Sequence, residues 1–161
     1  HAAFCSAGLP GWHWQPTDFE ADALPSINAW CEGLAGVRPA LQLDVLQPLD
    51  PCWPGVPARV DAVFCANMIH IAPWGCCGGL MRGAAGHLTA AGLLVTYGPY
   101  LEDGVQTSPG NLAFDADLRA RNPAWGLRCR EDVEGLAAQA GLRLLERVTM
   151  PANNLLLVWG R

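Results

Sequence analysis

The run VDAVFCANMIHIAPW, Val60 to Trp74, constrains the fold more than any other stretch of the chain. It holds one acidic residue, Asp61, and then Ala62-Val63-Phe64-Cys65-Ala66 without a further polar group. Asn67 and His70 follow, with Pro73 just beyond. A short apolar run that ends on polar groups predicts a buried parallel strand delivering side chains to a site. Open α/β sheets bind their ligands in the crevice at the carboxyl ends of the strands. The run therefore predicts a ligand-binding α/β domain and the place where its ligand sits.

The remaining residues must cover that strand. The chain has 161 residues, enough for one domain with a real core. Its 51% apolar and 16% charged content argues against disorder. The net charge is −5 and every basic residue is an arginine, so no basic stripe offers itself to a phosphate backbone. Nucleic acid is not an expected partner. No apolar run approaches the ~18–20 residues of a membrane span. HAAFCSAGLPG lacks the basic-then-apolar pattern of a signal peptide. The seven cysteines show no C-x-x-C spacing, which favours small buried thiols in a reducing compartment over a metal site. The expectation is a cytoplasmic, metal-free protein.

Periodicity and breakers give the order of elements. His1–Ala7 reads as the tail of a helix, Trp12–Gln15 as a short strand halted by Pro16, and Leu24–Leu34 as a helix ended by Gly36. Ala40–Leu43 is a strand ending in Asp44, and Asp50–Pro57 a proline-rich loop. After the Asp61–Ala66 strand, Trp74–Leu88 must be a crossover helix despite its glycines. Gly92–Tyr97 is another buried strand, followed by a turn at Gly98-Pro99 and a long polar loop from Tyr100 to Asn111. Ala113–Arg121 and Arg130–Ala140 are helices. Leu142–Met150 and Asn154–Trp159 form an antiparallel pair across Pro151-Ala152-Asn153. Alternation of this kind predicts a mainly parallel sheet with helices on both faces, closed by an antiparallel C-terminal hairpin strand.

Taken together, WQPTD, VDAVFCANMIHIAPW, LLVTYGPY, FDADLRARNPAWG and MPANNLLLVW resemble the uncharacterised methyltransferase-like 26 family of class I S-adenosylmethionine-dependent methyltransferases, along nearly the whole chain. The resemblance implies a Rossmann-like sheet, S-adenosyl-L-methionine as cofactor and methyl transfer to a small-molecule or protein acceptor. The family carries a strand and a glycine-rich turn just before the residue matching His1, where glycine lets backbone pass close to the cofactor. The resemblance thus implies a single methyltransferase-like domain over residues 1–161 that is N-terminally incomplete, its first strand missing. A sheet so opened is expected to be unstable or to form a homodimer through its edges. Two alternatives stand beside the enzyme: a non-enzymatic module binding a nucleoside or a partner, and a nicotinamide oxidoreductase, which the terminal hairpin disfavours.

The same resemblance assigns candidate residues. Asp18 would accept both ribose hydroxyls, as a carboxylate is able to, or else is an ordinary turn residue. Asp44 would meet the adenine amino group and Val45 the ring. Asn67 and Met68 would line the methionine part of the cofactor. His70, with an ordinary pKa of about 6.5, is a candidate general base, or a satisfied core histidine. Tyr97 is the second candidate catalytic residue, with Pro99 and Tyr100 overlooking the same crevice. Asn111, Phe114, Asp115, Arg119 and Arg121 form either a lid over the acceptor or, for Asp115 and Arg119, a surface helix pair. Asn153 and Asn154 are turn residues or acceptor contacts.

Overall fold

The structure, a computed structural model, describes residues 1–47 and 53–161. Residues 50–52, the first part of the expected proline-rich loop, lie outside the described residues. The described chain divides into two compact units, His1–Gln47 with Trp53–Val56, and Pro57–Arg161.

The N-terminal unit is built on short elements. Helix α1 spans Ala2–Gly8, β1 Thr17–Asp18, α2 Leu24–Trp30 and β2 Leu41–Gln42. Strands β1 and β2 pair in parallel, with Asp18 opposite Gln42. The first strand was expected to halt at Pro16, but the ladder runs past it. Trp14 bridges Val37, and the Pro16 carbonyl accepts the Leu41 N–H at 3.0 Å. Proline lacks a donor but keeps its acceptor, so it is tolerated where only its carbonyl faces the neighbouring strand. Helix α2 stops at Trp30, four residues short of the expected end. Asn28 near its C-terminus accepts the Ala40 N–H at 2.7 Å, tying helix to strand.

The C-terminal unit contains β3 (Val60–Ala66), α3 (Trp74–His87), β4 (Leu88–Leu101), α4 (Pro109–Arg121), β5 (Arg128–Cys129), α5 (Arg130–Gln139), β6 (Arg143–Met150) and β7 (Asn154–Gly160). Strand order is β3-β4-β7-β6, with β5 pairing beside β4. Strands β3 and β4 are parallel, while β7 is antiparallel to both β4 and β6. Hence β3, β4 and β6 all run one way, and β7 is inserted between two of them in reverse. The expected α/β fold with a reversed C-terminal hairpin strand is present.

On one face, Leu94 opposite Trp159 and Thr96 opposite Leu157 are fully buried. Helices α3 and α5 pack on each other and on this side, burying Leu80, Met81, Val133 and Ala137. Glycine-rich α3 buries Gly78, Gly79, Gly83 and Ala84, and a Cβ on Gly78 would come to 3.9 Å from Leu136 of α5. Trp159 Nε1 and the Tyr100 hydroxyl both donate to Thr96 Oγ1 at 3.0 Å, so the polar atoms of this layer satisfy one another. The opposite face is apolar but more open, with Leu93 and Leu145 exposed.

Two expectations are corrected. Among the described residues, strand β3 is not buried, with Phe64 42% exposed and β4 beside it in the strand order. A continuous apolar run cannot distinguish an edge strand from a central one, because pairing partners are set by the rest of the chain. Gly98-Pro99 is not a turn, since β4 continues through it, with Gly98 opposite Leu155 and Pro99 opposite Asn154. Beyond Tyr97, β4 has left its pairing with β3, so the missing proline donor falls at a ladder end. No helix among the described residues is long and apolar enough to cross a membrane.

Candidate functional site

The carboxyl ends of the strands carry the candidate residues in each unit. In the N-terminal unit, Asp18 closes β1, and its carbonyl accepts the Leu43 N–H at 2.8 Å. Asp44 lies two residues past β2. Asp18 Oδ1 accepts the Glu20 N–H at 2.9 Å, and Asp44 Oδ1 accepts the Leu46 N–H at 2.9 Å. Each carboxylate is thus oriented by its own turn. The second oxygen of each takes no hydrogen bond from the described residues. Val45, half-buried, follows in the same turn as Asp44.

In the C-terminal unit, a cavity of about 590 Å³ opens at the ends of β3 and β4. Asn67, His70 and Ile71 line it from the segment after β3, and Pro99 from β4. Gly110, Asn111 and Phe114 reach it from α4, and Ala152, Asn153 and Asn154 from the β6–β7 turn. Among the described residues, the non-glycine residues with left-handed backbone are Asn67 (φ 57°), Ala152 (φ 58°) and Asn153 (φ 57°). All three line this one cavity. The conformation costs about 1–2 kcal/mol at Ala152, is better tolerated at the two asparagines, and at Ala152-Asn153 belongs to the tight turn joining β6 and β7.

The His70 segment is held by its backbone. The Asn67 N–H donates to the Tyr97 carbonyl at 2.8 Å, and the Gly126 N–H donates to the His70 carbonyl at 3.0 Å. Arg128 straps the segment from below, its Nη2 donating to Ala72 O at 2.9 Å and Ala124 O at 2.7 Å while its guanidinium lies over the Trp74 ring. Gly98 faces the imidazole so closely that a Cβ there would stand 3.3 Å from His70 Cε1 and Nδ1. The His70 side of the cavity is therefore packed to backbone contact.

His70 itself is 5% exposed, yet neither ring nitrogen makes a hydrogen bond to the described residues. Its ring meets Phe114 edge-on, centroids 5.6 Å apart. Burial, reinforced by the positive charge of Arg128, lowers its pKa below 6.5. At neutral pH it is an uncharged imidazole with lone-pair capacity to spare.

Other candidates take different places. The Tyr97 hydroxyl accepts Asn154 Nδ2 at 2.9 Å, so Tyr97 stands behind a cavity residue. Tyr100, expected to overlook the crevice, is buried in the α3/α5 layer instead. Strand alternation puts it on the same face as Thr96. The expected lid divides. Asn111 and Phe114 line the cavity. Asp115 accepts Arg119 Nε at 2.8 Å and the Leu127 N–H at 2.6 Å, fastening the loop that holds His70. Arg121 pairs with Asp117 at 3.7 Å and lies over Trp125 on the surface. Asn111, 7% exposed, donates through Nδ2 to Thr107 Oγ1 at 3.2 Å and to the Asn153 carbonyl at 3.4 Å, joining α4 to the strained turn.

Sequence reasoning missed Ile71, Gly110 and Ala152 on the cavity wall and the strap made by Arg128. The asparagines did carry a signal, since asparagine tolerates left-handed backbone. Ala152 carried none. The described cysteines are free thiols. Burial pushes Cys65 and Cys77 up to about 12, which leaves them protonated. Asp103, Cys129 and Glu131 also converge, Cys129 Sγ donating to Glu131 Oε2 at 2.9 Å and Asp103 Oδ1 at 3.2 Å. Burial first, then these carboxylates, pushes that thiol up to about 11.

The same architecture recurs in solved structures. Mitomycin 7-O-methyltransferase MmcR superposes with a TM-score of 0.80 at 13% identity, covering 99% of this chain and 45% of that one. CalO1, a methyltransferase in calicheamicin biosynthesis seen in its S-adenosylhomocysteine-bound form, gives 0.76 at 16%, covering 99% and 44%. LepI in complex with S-adenosylmethionine gives 0.77 at 16%, covering 99% and 40%. The chain spans less than half the length of these structures, and at such identity the likeness is one of fold, that of the class I methyltransferases. A family model described as "Protein of unknown function (DUF938)" matches residues 1–161, and the chain belongs to that family.

Proposed function

We propose that this DUF938 member is the ligand-binding core of an S-adenosylmethionine-dependent methyltransferase acting on a small-molecule or protein acceptor. The observation that carries the reading is the convergence of a neutral His70, whose ring nitrogens take no hydrogen bond from the described residues, with three left-handed backbone positions on one cavity at the strand ends. The class I methyltransferase fold supports it, as do the five segments that resemble the methyltransferase-like 26 family. The acidic, lysine-free composition favours an acceptor other than nucleic acid.

The residues present fit a nucleoside cofactor. Ribose hydroxyls and an adenine amino group are donors, and Asp18 and Asp44 leave the same end of a parallel pair, each with one carboxylate oxygen that takes no hydrogen bond from the described residues. Within the N-terminal unit Asp18 would hold the ribose and Asp44 and Val45 the adenine; for the C-terminal unit, taken by itself, the family resemblance gives Asn67 and Met68 the amino-acid end. When bound, S-adenosylmethionine supplies a sulfonium methyl already activated for attack, so the protein's part is positioning and proton management. His70 accepts the proton of the attacking group. Its depressed pKa keeps it ready as a base through neutral and mildly acidic solution, at the expense of base strength. Tyr97 fixes Asn154 on the cavity wall as a positioning residue.

Calorimetric titration of S-adenosylhomocysteine into the full-length protein tests the reading. Saturable one-to-one binding, abolished by Asp18→Ala, is expected. Absence of binding in the wild type would remove the cofactor and with it the methyl-transfer assignment.

A further inference from the structure

The chemistry of the cavity wall narrows the acceptor. At about 590 Å³ the cavity lies within the range of roughly 300–1,000 Å³ typical of small-molecule sites. Among the described residues, its lining includes no carboxylate and no arginine, only carboxamides, one imidazole and apolar groups. The neighbouring charges are already spoken for. Asp115 is taken by Arg119 and the Leu127 N–H, and Arg128 by the carbonyls of Ala72 and Ala124. An ionised acceptor would shed water here without an ion pair to any described lining residue. A cationic one would also meet the field of Arg128, which already disfavours a proton on His70.

The apolar part of the wall has free surface. Phe114 is 38% exposed and Ile71 44%, while Pro99 closes the β4 side. These groups suit a flat ring better than an extended peptide, whose backbone donors and acceptors would need partners.

Base strength separates the kinds of alcohol. A phenol, with a pKa of about 10, is roughly a million times stronger as an acid than an aliphatic alcohol near the value of water, about 16. A histidine held neutral by its surroundings is a weak base, and it suits the more acidic hydroxyl.

We propose that the cavity takes an uncharged aromatic alcohol, its ring against Phe114 and Ile71 and its hydroxyl against His70. The inference rests on the methyl-transfer reading of the same site. In the step it implies, the acceptor O–H bond breaks and the proton passes to a ring nitrogen of His70. The oxygen electron pair forms the bond to the transferred methyl carbon. The donor's C–S bond breaks with its pair left on sulfur, and the imidazolium later returns its proton to solvent.

Three probes sharing one ring system test the proposal by calorimetry at pH 7 without any methyl donor: 2-naphthol, 2-naphthoate and 2-naphthylmethylammonium. The full-length protein is expected to bind 2-naphthol at least tenfold more tightly than either ion. Phe114→Ala should weaken 2-naphthol at least fivefold, and Ile71→Ala, a milder change at an exposed side chain, at least twofold. Equal or tighter binding of either ion, binding of no probe, or indifference to both substitutions overturns the proposal. A parallel titration with S-adenosylhomocysteine keeps the two readings apart. Binding of that ligand without naphthol preference removes the acceptor class alone. Naphthol preference without it removes methyl transfer, and with it the reaction assigned to the cavity.

Discussion

The two units present opposite chemistry at the ends of their strands. The N-terminal unit has two strands of two residues each, β1 and β2, and ends them in carboxylates. In the C-terminal unit the strands of the β3-β4-β7-β6 ladder are seven to fourteen residues long, with two-residue β5 beside β4, and uncharged groups on left-handed backbone stand at their ends. Asp18 and Asp44 need little support, because one hydrogen bond from their own turn orients each carboxylate. Asn67, Ala152 and Asn153 need a great deal. Left-handed backbone persists only where surrounding structure over-determines it, and here the paired β3-β4-β7-β6 ladder lies directly behind. Recognition by charge tolerates a slight scaffold, whereas recognition by shape and strain demands a well-packed one.

The contrast is open to attack on either side. Replacing His70 by Gln should lower the methyl-transfer rate about 10²–10⁴-fold, the usual weight of a general base. Affinity for S-adenosylhomocysteine, measured calorimetrically, should stay within about twofold, because loss of a proton acceptor leaves the nucleoside contacts alone. A comparable loss in both quantities would mean that the two units do not divide the work. The pH profile sharpens the same point. His70 titrates below 6.5 because of burial and then Arg128, so the rate should hold through neutrality and fall only in more acidic solution. Arg128→Met, by removing the cation, should move that acid limb upward.

Asp18→Ala should weaken S-adenosylhomocysteine by about 100-fold, through loss of charge-assisted hydrogen bonds worth roughly 1.5–3 kcal/mol each. Binding of 2-naphthol should be unchanged. Glu102 tests the scaffold behind the cavity. It accepts Arg147 Nε at 2.8 Å and Arg130 Nε at 2.9 Å. Glu102→Gln should cost about 2 kcal/mol of stability, read by denaturant unfolding. Hydrogen bonds from Arg147 and Arg130 hold its carboxyl below the ordinary 4.5. The stability it contributes is therefore full above pH 4.5 and is lost as pH falls through the folded value, so wild type and variant should converge in acid. The smallest effect is at the strained turn. Ala152→Gly relieves about 1 kcal/mol of left-handed strain but gives back about half of it as unfolded-state entropy. A net gain of about 0.5 kcal/mol, a small rise in Tm, is expected. A loss would show that the turn is not strained.

Much of the fold was legible in the residues. Alternating apolar runs and breakers located α3, α4, α5 and the β6–β7 hairpin within a few residues, because periodicity and turn chemistry are local. Pro16 and Pro99 misled for one reason. A proline breaks a strand only if its missing donor is needed, and that depends on which edge the partner occupies. Asp18 and Asp44 in the N-terminal unit, and Asn67 and His70 in the C-terminal unit, could be placed near strand ends from the sequence, with the family resemblance supplying the roles proposed for them. Tyr100 could not be told from Tyr97, because the face each occupies depends on the register of β4.

The sequence by itself determined an α/β chain with a reversed C-terminal strand, an acidic surface chemistry, and polar residues waiting at the ends of apolar runs. Those properties follow from short-range rules. Tertiary structure alone decided that Ala152 and Asn153 come to the same cavity as Asn67, that Arg128 straps the His70 segment, and that the imidazole stays neutral and unengaged. These depend on burial and on contacts between residues far apart in the chain, which no local pattern encodes.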